Sequence, residues 1–205
     1  VVITGLGALA PNGNSVVNFW SGLLAGKSGI QRVSYFDAED FSVKIAGELS
    51  DFNADDYFDR KELRKLDPFS IYGLVTAAEA IAHSGLDVNT IDRDRAGVII
   101  GSGVGGIQTL EDQHMVMQNK GPRRVSPFFV PKMIANIAAG QIAIKFGLRG
   151  PNFTVVSACS SGSDAIGQAF RKIQYDETDV MITGGTEASV TPLTIAGFGN
   201  MKALS

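Results

Sequence analysis

Four short runs constrain this chain more than any other feature. Val1–Thr4, Gly97–Ile100, Phe153–Ser157 and Val180–Thr183 are rich in β-branched residues, nearly continuously apolar, and followed by small residues. Continuous rather than alternating apolarity predicts strands covered on both faces, as in a parallel sheet. Between the runs lie helical patterns with recognisable ends. Ser15 is placed to cap a helix carrying Val16, Phe19, Trp20, Leu23 and Leu24, which stops at Gly26. Asp67-Pro68 opens another, with Ile71, Leu74, Val75, Ala78, Ile81 and Ala82 on its apolar side, closing at Gly85. Pro131 is expected to start a third, and Ser160 or Ser161 a fourth running to about Ile173. Alternating strands and helices argue for a layered α/β fold. No linker divides the chain, so residues 1–205 are read as one domain.

Charge and cysteine content narrow the function classes. Lys and Arg number 18 against 21 Asp and Glu, a net charge of −3, so no polyanion-coating surface is expected and no nucleic-acid partner is implied. A single cysteine, Cys159, leaves no intrachain disulfide and no cysteine-rich metal site; metal ligands are not expected. The apolar stretch Ile134–Leu148 is interrupted by Asn136, Gln141 and Lys145, too polar for a membrane span. With no signal peptide in view, a cytoplasmic location is expected. The chain opens without Met directly on a strand-like run and stops at Lys202-Ala203-Leu204-Ser205 without a capping signal, so a longer polypeptide is expected.

Glycine is abundant, 24 residues. Gly101-Ser102-Gly103-Val104-Gly105-Gly106 satisfies GxGxxG after a strand, and Gly5-Leu6-Gly7-Ala8-Leu9-Ala10 satisfies its looser form. A dinucleotide fold also requires a second strand ending in Asp or Glu about 20 residues on. Neither segment supplies one, and no Walker lysine is present. Both are read as tight turns rather than phosphate cradles.

The stretch from Thr154 to Gly167 carries the most chemistry. A β-branched strand runs straight into Ala158-Cys159-Ser160-Ser161-Gly162, and a helix follows with Ala165, Ile166, Ala169, Phe170 and Ile173 on its expected buried face. That is a strand-to-helix elbow, which exposes a nucleophile above a sheet. A helix start also favours a thiolate through its unpaired N–H groups and its dipole. A free cysteine is equally often inert, buried filler, and both readings fit these residues.

Five segments resemble one family: Val-Val-Ile-Thr-Gly-Leu-Gly (1–7), Gly-Ser-Gly-Val-Gly-Gly (101–106), Gly-Pro-Arg-Arg-Val-Ser-Pro-Phe-Phe-Val-Pro (121–131), Val-Ser-Ala-Cys-Ser-Ser-Gly (156–162) and Thr-Gly-Gly-Thr-Glu-Ala (183–188). In order and without a break, they resemble the N-terminal half of a β-ketoacyl-acyl-carrier-protein synthase of the synthase II type. The resemblance implies a thiolase-like fold, of which this chain would be the N-terminal half: a five-layer α-β-α-β-α sandwich with a mixed, mostly parallel sheet. It implies a homodimer without a cofactor, working on acyl and malonyl groups carried by acyl carrier protein in fatty-acid biosynthesis. Cys159 would be the nucleophile, its backbone N–H half of an oxyanion hole. Val104 and Phe198 would line the acyl pocket, with Phe129 reaching in from the partner subunit.

The chain lacks what the family keeps in its second half, two histidines and a lysine. Its own histidines are assigned no catalysis: His83 sits near a helix C-terminus and His114 on a polar helix face. By itself the chain is expected to be inactive in condensation. Lys61, Arg64 and Lys65 fall at i, i+3 and i+4, one helical face, and Arg123-Arg124 form a second basic site. Such runs are commonly solvated surface; the resemblance makes these residues, with Lys202, a docking patch for acidic carrier protein. Two further readings compete. A silent chain-length subunit would lack the cysteine, and a thiolase or CoA-dependent synthase would lack the 121–131 segment and the basic run.

Overall fold

The computed structural model describes residues 1–204; Ser205, the last residue of the expected domain, lies outside them. Ser15 accepts the Asn18 N–H and starts α1 (Val16–Leu24), as its sequence predicts. A short hairpin follows that periodicity does not reveal, β1 (Ile30–Arg32) antiparallel to β2 (Ile45–Gly47). Asp59 and Glu62 form a reciprocal capping box on the one-turn α2 (Arg60–Leu63). Asp67 and Pro68 start α3 (Pro68–Ser84), which ends at Gly85 with φ of 69°, the left-handed stop its sequence predicts.

From there the chain builds its sheet. β3 (Ala96–Gly101) leads through α4 (Ile107–Lys120), α5 (Phe129–Met133) and α6 (Ile137–Phe146) to β4 (Asn152–Val155). Then α7 (Ser161–Gln174), β5 (Val180–Gly185) and α8 (Pro192–Asn200) complete it. The strands lie in the order β4-β3-β5, both pairings parallel, with Gly101 opposite Val155 on one side and Gly185 on the other. Every residue of the central strand is buried, which accounts for its unbroken apolar sequence. The faces of β3 alternate as a strand requires: Ala96, Val98 and Ile100 join the core under α3 and α6, while Ile99 packs with Ala165 and Ala169 of α7.

Four expectations need correction. Val1–Thr4 forms no strand, and Val2 and Ile3 are each 79% exposed. The following segment runs along α3 instead: Leu6 N–H donates to His83 Nδ1 at 3.1 Å and Ala8 N–H to Glu79 Oε2 at 2.8 Å. A Cβ on Gly5 or Gly7 would fall 2.0 or 1.9 Å from the carbonyl oxygens of Ala80 and Thr76, so these glycines serve close approach to a helix. Pro131 sits inside α5 rather than starting a helix, and a new helix begins only at Ile137. Proline is tolerated there because a first-turn residue needs no intrahelical N–H. On α7, Ala165 and Ala169 are buried but Ile166 and Phe170 are 49% and 47% exposed. One residue further round a helix is a rotation of about 100°, enough to carry both off the sheet. Likewise Ala78 and Ala82 of α3 are exposed.

Candidate active site

β4 ends beside β3, and the chain must turn at once to lay α7 back over the sheet. The turn is made at Ala158, whose φ of 54° is left-handed and costs an L-residue about 1–2 kcal/mol. Ser161 holds it there. Its hydroxyl accepts the Ser157 N–H at 2.9 Å and donates to the Ala158 carbonyl at 2.7 Å. Ser157 in turn donates its hydroxyl to the Asp164 carboxylate in the first turn of α7. Cys159 follows Ala158 directly and is exposed, two residues before the helix. The elbow read from the sequence is therefore present, and the thiol is not filler.

The surrounding small residues mainly let backbones meet. A Cβ on Gly101 would lie 2.2 Å from Ser161 backbone atoms, and one on Gly162 would lie 3.2 Å from the Gly185 Cα. The first turn of α7 therefore rests directly on the ends of β3 and β5.

The GxGxxG loop after β3 is a turn, and its donors are already taken. Glu187 Oε2 accepts the N–H groups of Gly103 at 2.6 Å and Val104 at 3.2 Å, and Ser102 Oγ donates to Oε1 at 3.3 Å. A carboxylate of the chain itself occupies the concavity where a nucleotide fold would hold phosphate. The loop's far end is fixed by Asp67. This carboxylate, fully buried, accepts the N–H and hydroxyl of Thr109 at 3.0 and 2.6 Å, joining the start of α3 to the first turn of α4. Burial pushes the Asp67 carboxyl above its ordinary range, and the Thr109 hydroxyl works against that rise.

The structure brings some expected site residues together and leaves others apart. Val104 is half exposed on the glycine loop. Gly106, two residues on, donates its N–H to the Met133 carbonyl at 2.9 Å, so α5, which carries the half-buried Phe129, abuts the same loop. Phe198 lies exposed on α8. A cavity of about 530 Å³ bounded by Tyr35, Tyr72, Glu111 and Met115 and a smaller one of about 120 Å³ reached by Glu187 are each lined by none of Cys159, Val104, Phe129 and Phe198. The basic residues occupy three segments: Lys61, Arg64 and Lys65 on and just after α2, Arg123 and Arg124 in the turn Pro122–Arg124, and Lys202 after α8. All six are exposed, and none pairs with a carboxylate within 4.0 Å among the described residues. His114 is exposed on α4, and His83 is bonded to the Leu6 backbone.

Sequence reasoning missed Glu187 and the Ser157–Ser161–Asp164 clamp. Only the strand register brings the first to its partners: Gly101 lies opposite Gly185, and two residues beyond each the Gly103 N–H meets the Glu187 carboxylate. No helix among the described residues is long and apolar enough to cross a membrane, and no three His, Cys, Asp or Glu side chains among them cluster as metal ligands.

Comparison with known proteins agrees with this geometry. A 3-oxoacyl-[acyl-carrier-protein] synthase 2 of Staphylococcus aureus strain COL is 50% identical over all 205 residues, and one of Synechocystis sp. is 46% identical over the same span. The chain spans about half the length of these relatives, 50% and 49%. Among solved structures, an ishigamide ketosynthase/chain length factor superposes with a TM-score of 0.91 at 25% identity, covering 100% of this chain and 51% of that one. A type II polyketide ketosynthase in complex with its acyl-carrier protein superposes with a TM-score of 0.84 at 27% identity, covering 98% and 54%. The fold is thus the α/β, thiolase-like architecture of ketosynthases. The family described as "Beta-ketoacyl synthase, N-terminal domain" matches residues 1–205, and the chain belongs to it.

Proposed function

We propose that the protein carrying this domain elongates an acyl chain by two carbons in fatty-acid biosynthesis, through a thioester on Cys159. The observation that carries the reading is the exposed thiol of the only cysteine, held on a strained elbow at the start of α7. The Cys159 sulfur attacks the carbonyl carbon of an acyl-carrier-protein thioester. The bond to the carrier sulfur breaks, the carrier thiol leaves with the proton, and the acyl group stays on Cys159. Malonyl-carrier protein then loses CO2, leaving the electron pair of the broken C–C bond on the α-carbon. That carbon attacks the acyl-Cys159 carbonyl and expels the Cys159 thiolate, giving 3-ketoacyl-carrier protein. The Cys159 backbone N–H serves as half of an oxyanion hole, and preorganised donors of this kind stabilise the developing charge. Val104, Phe198 and the partner subunit's copy of the Phe129 position line the acyl channel of a cytoplasmic homodimer. The groups that assist decarboxylation come from outside this domain, since His83 is engaged with backbone and His114 is exposed with no hydrogen-bond partner among the described residues.

Intact-mass measurement tests the nucleophile in the full-length protein. Cys159→Ala abolishes acyl-enzyme formation and labelling by iodoacetamide at this site; persistence of the acyl adduct removes the assignment. Acidic carrier protein docks on Lys61, Arg64, Lys65, Arg123, Arg124 and Lys202, which have no carboxylate partners to give up among the described residues. Reversing the charge of Lys61, Arg64 and Lys65 slows acylation from carrier-linked donors by about tenfold and spares small soluble thioesters. Equal loss with both donors overturns the docking role.

A further inference from the structure

The carboxylate of Glu187 has no role in the chemistry just described, yet it is the most connected polar group beside the elbow. It takes three donors of one loop, Gly103 N–H, Val104 N–H and the Ser102 hydroxyl, and Ser102 Oγ accepts the Gly105 N–H at 3.1 Å. Its own position is fixed from behind. Thr186 donates its N–H to the Gly101 carbonyl at 3.0 Å and its hydroxyl to the Phe69 carbonyl at 2.6 Å, tying this segment to β3 and α3. The loop abuts the nucleophile's turn. A Cβ placed on Gly103 would lie 3.0 Å from Glu187 Oε2 and 3.7 Å from the Ala158 carbonyl oxygen. One carboxylate therefore sets where the Val104 backbone sits relative to Cys159.

We infer that Glu187 is a positioning residue that fixes the Val104 wall of the acyl channel and so tunes which acyl chains Cys159 accepts. The inference rests on the reading of Val104 as a channel residue. Charge-assisted hydrogen bonds to backbone N–H are stronger than neutral ones, so a carboxylate holds a glycine-rich loop that would otherwise sample many conformations. Alanine at 187 frees three donors at once. Glutamine keeps one acceptor oxygen on the same stem, and should restore much of the constraint.

The test compares acyl transfer to Cys159 from carrier protein loaded with a short or a long acyl chain, in the full-length protein, by intact mass. Glu187→Ala changes the long-to-short rate ratio by about tenfold or more, the size expected from losing a hydrogen bond to a charged group. Amide exchange across residues 102–106 rises, while alkylation of Cys159 by iodoacetamide stays within about twofold of the parent because the elbow's own clamp is intact. Glu187→Gln recovers most of the ratio. An unchanged ratio overturns the inference. So does a uniform fall in both rates, in alkylation and in Tm, which marks a merely structural residue. Should Glu187→Ala fail to fold, Ser102→Ala, which removes one donor to the carboxylate and the acceptor of the Gly105 N–H, shifts the ratio in its place, with Glu187→Gln as the near-parental control. If the parent itself forms no acyl-Cys159, the proposed activity fails first, and the exchange measurement still reports whether Glu187 holds the loop.

Discussion

The two faces of β3 differ in how completely they are covered. Under α3 and α6 the core is closed: Phe69, Val98, Ala138, Ala139 and Ile142 are fully buried. Under α7 the buried cluster is Ile99, Ala165 and Ala169, and Ile166 and Phe170 stay half exposed just beyond it. The backbone differs in the same sense. The closed face is built from helices that end on left-handed glycines, Gly85 and Gly147, whereas the open end carries left-handed Ala158 and a glycine loop held by one carboxylate. Stability in this domain resides on one face of the sheet, and the proposed chemistry lies at the end of the strands, above a thinner support. That division lets the site keep strain without endangering the fold.

The sharpest way to break the comparison is to truncate one large apolar side chain on each face to alanine. Ile142→Ala, in the closed core, lowers unfolding stability of the chain by about 2–5 kcal/mol. Phe170→Ala, at nearly half exposure, changes it by only about 0.5 kcal/mol. Denaturant titration of the two variants decides between them. Similar losses would mean that the α7 face is as well supported as the other.

This contrast also separates what was legible in the sequence from what was not. The capped helices and β3, β4 and β5 could be read because their signals are local: Asp67-Pro68 and Gly85 bracket α3, and continuous apolar runs mark strands, although only β3 is fully buried while Asn152 and Phe153 of β4 are exposed. Cys159 at the elbow was legible for the same reason. Val1–Thr4 misled because β-branched residues favour a strand without naming its partner, and among the described residues no strand of the β4-β3-β5 sheet pairs with it. Ile166 and Phe170 misled because a stripe of apolar residues does not say how wide the covered part is. Glu187 was invisible because its partners lie more than 80 residues away and meet it only through strand register.

A smaller effect comes from the join between the two regions, at Asp67 and Thr109. Burial raises the Asp67 carboxyl in the folded chain, so the native state holds this proton more tightly than the unfolded state. The contribution of Asp67 to stability therefore falls as pH rises from the ordinary carboxylate range through its raised folded value. The sign is opposite at the exposed carboxyls of Asp94 and Asp179, which Arg149 and Arg95 hold below their ordinary range. Their stabilisation is present above that range and is lost as pH falls. Thr109→Val removes the hydroxyl that most opposes the Asp67 rise and costs about 1–2 kcal/mol at neutral pH. That cost shrinks on acidification, once Asp67 is protonated and no longer a buried charge. Unfolding measured near neutrality and in mild acid shows it; a cost that grew on acidification would mean that Thr109 acts by packing alone.

The smallest expected effect lies at the elbow itself and tests whether strain there is kept for function. Ala158→Gly removes the Cβ that makes a φ of 54° costly, a relief of about 1–2 kcal/mol. The added freedom of glycine in the unfolded chain takes back about 0.5–1 kcal/mol. The net is a small gain in stability, between zero and about 1.5 kcal/mol. At the same time the turn before Cys159 becomes less restricted, because Ser161 must then hold a backbone with more accessible conformations. Acylation of Cys159 should slow while Tm holds or rises slightly. Were both to improve together, the strained alanine would be serving neither region, and the division of labour between the two faces would not extend to this residue.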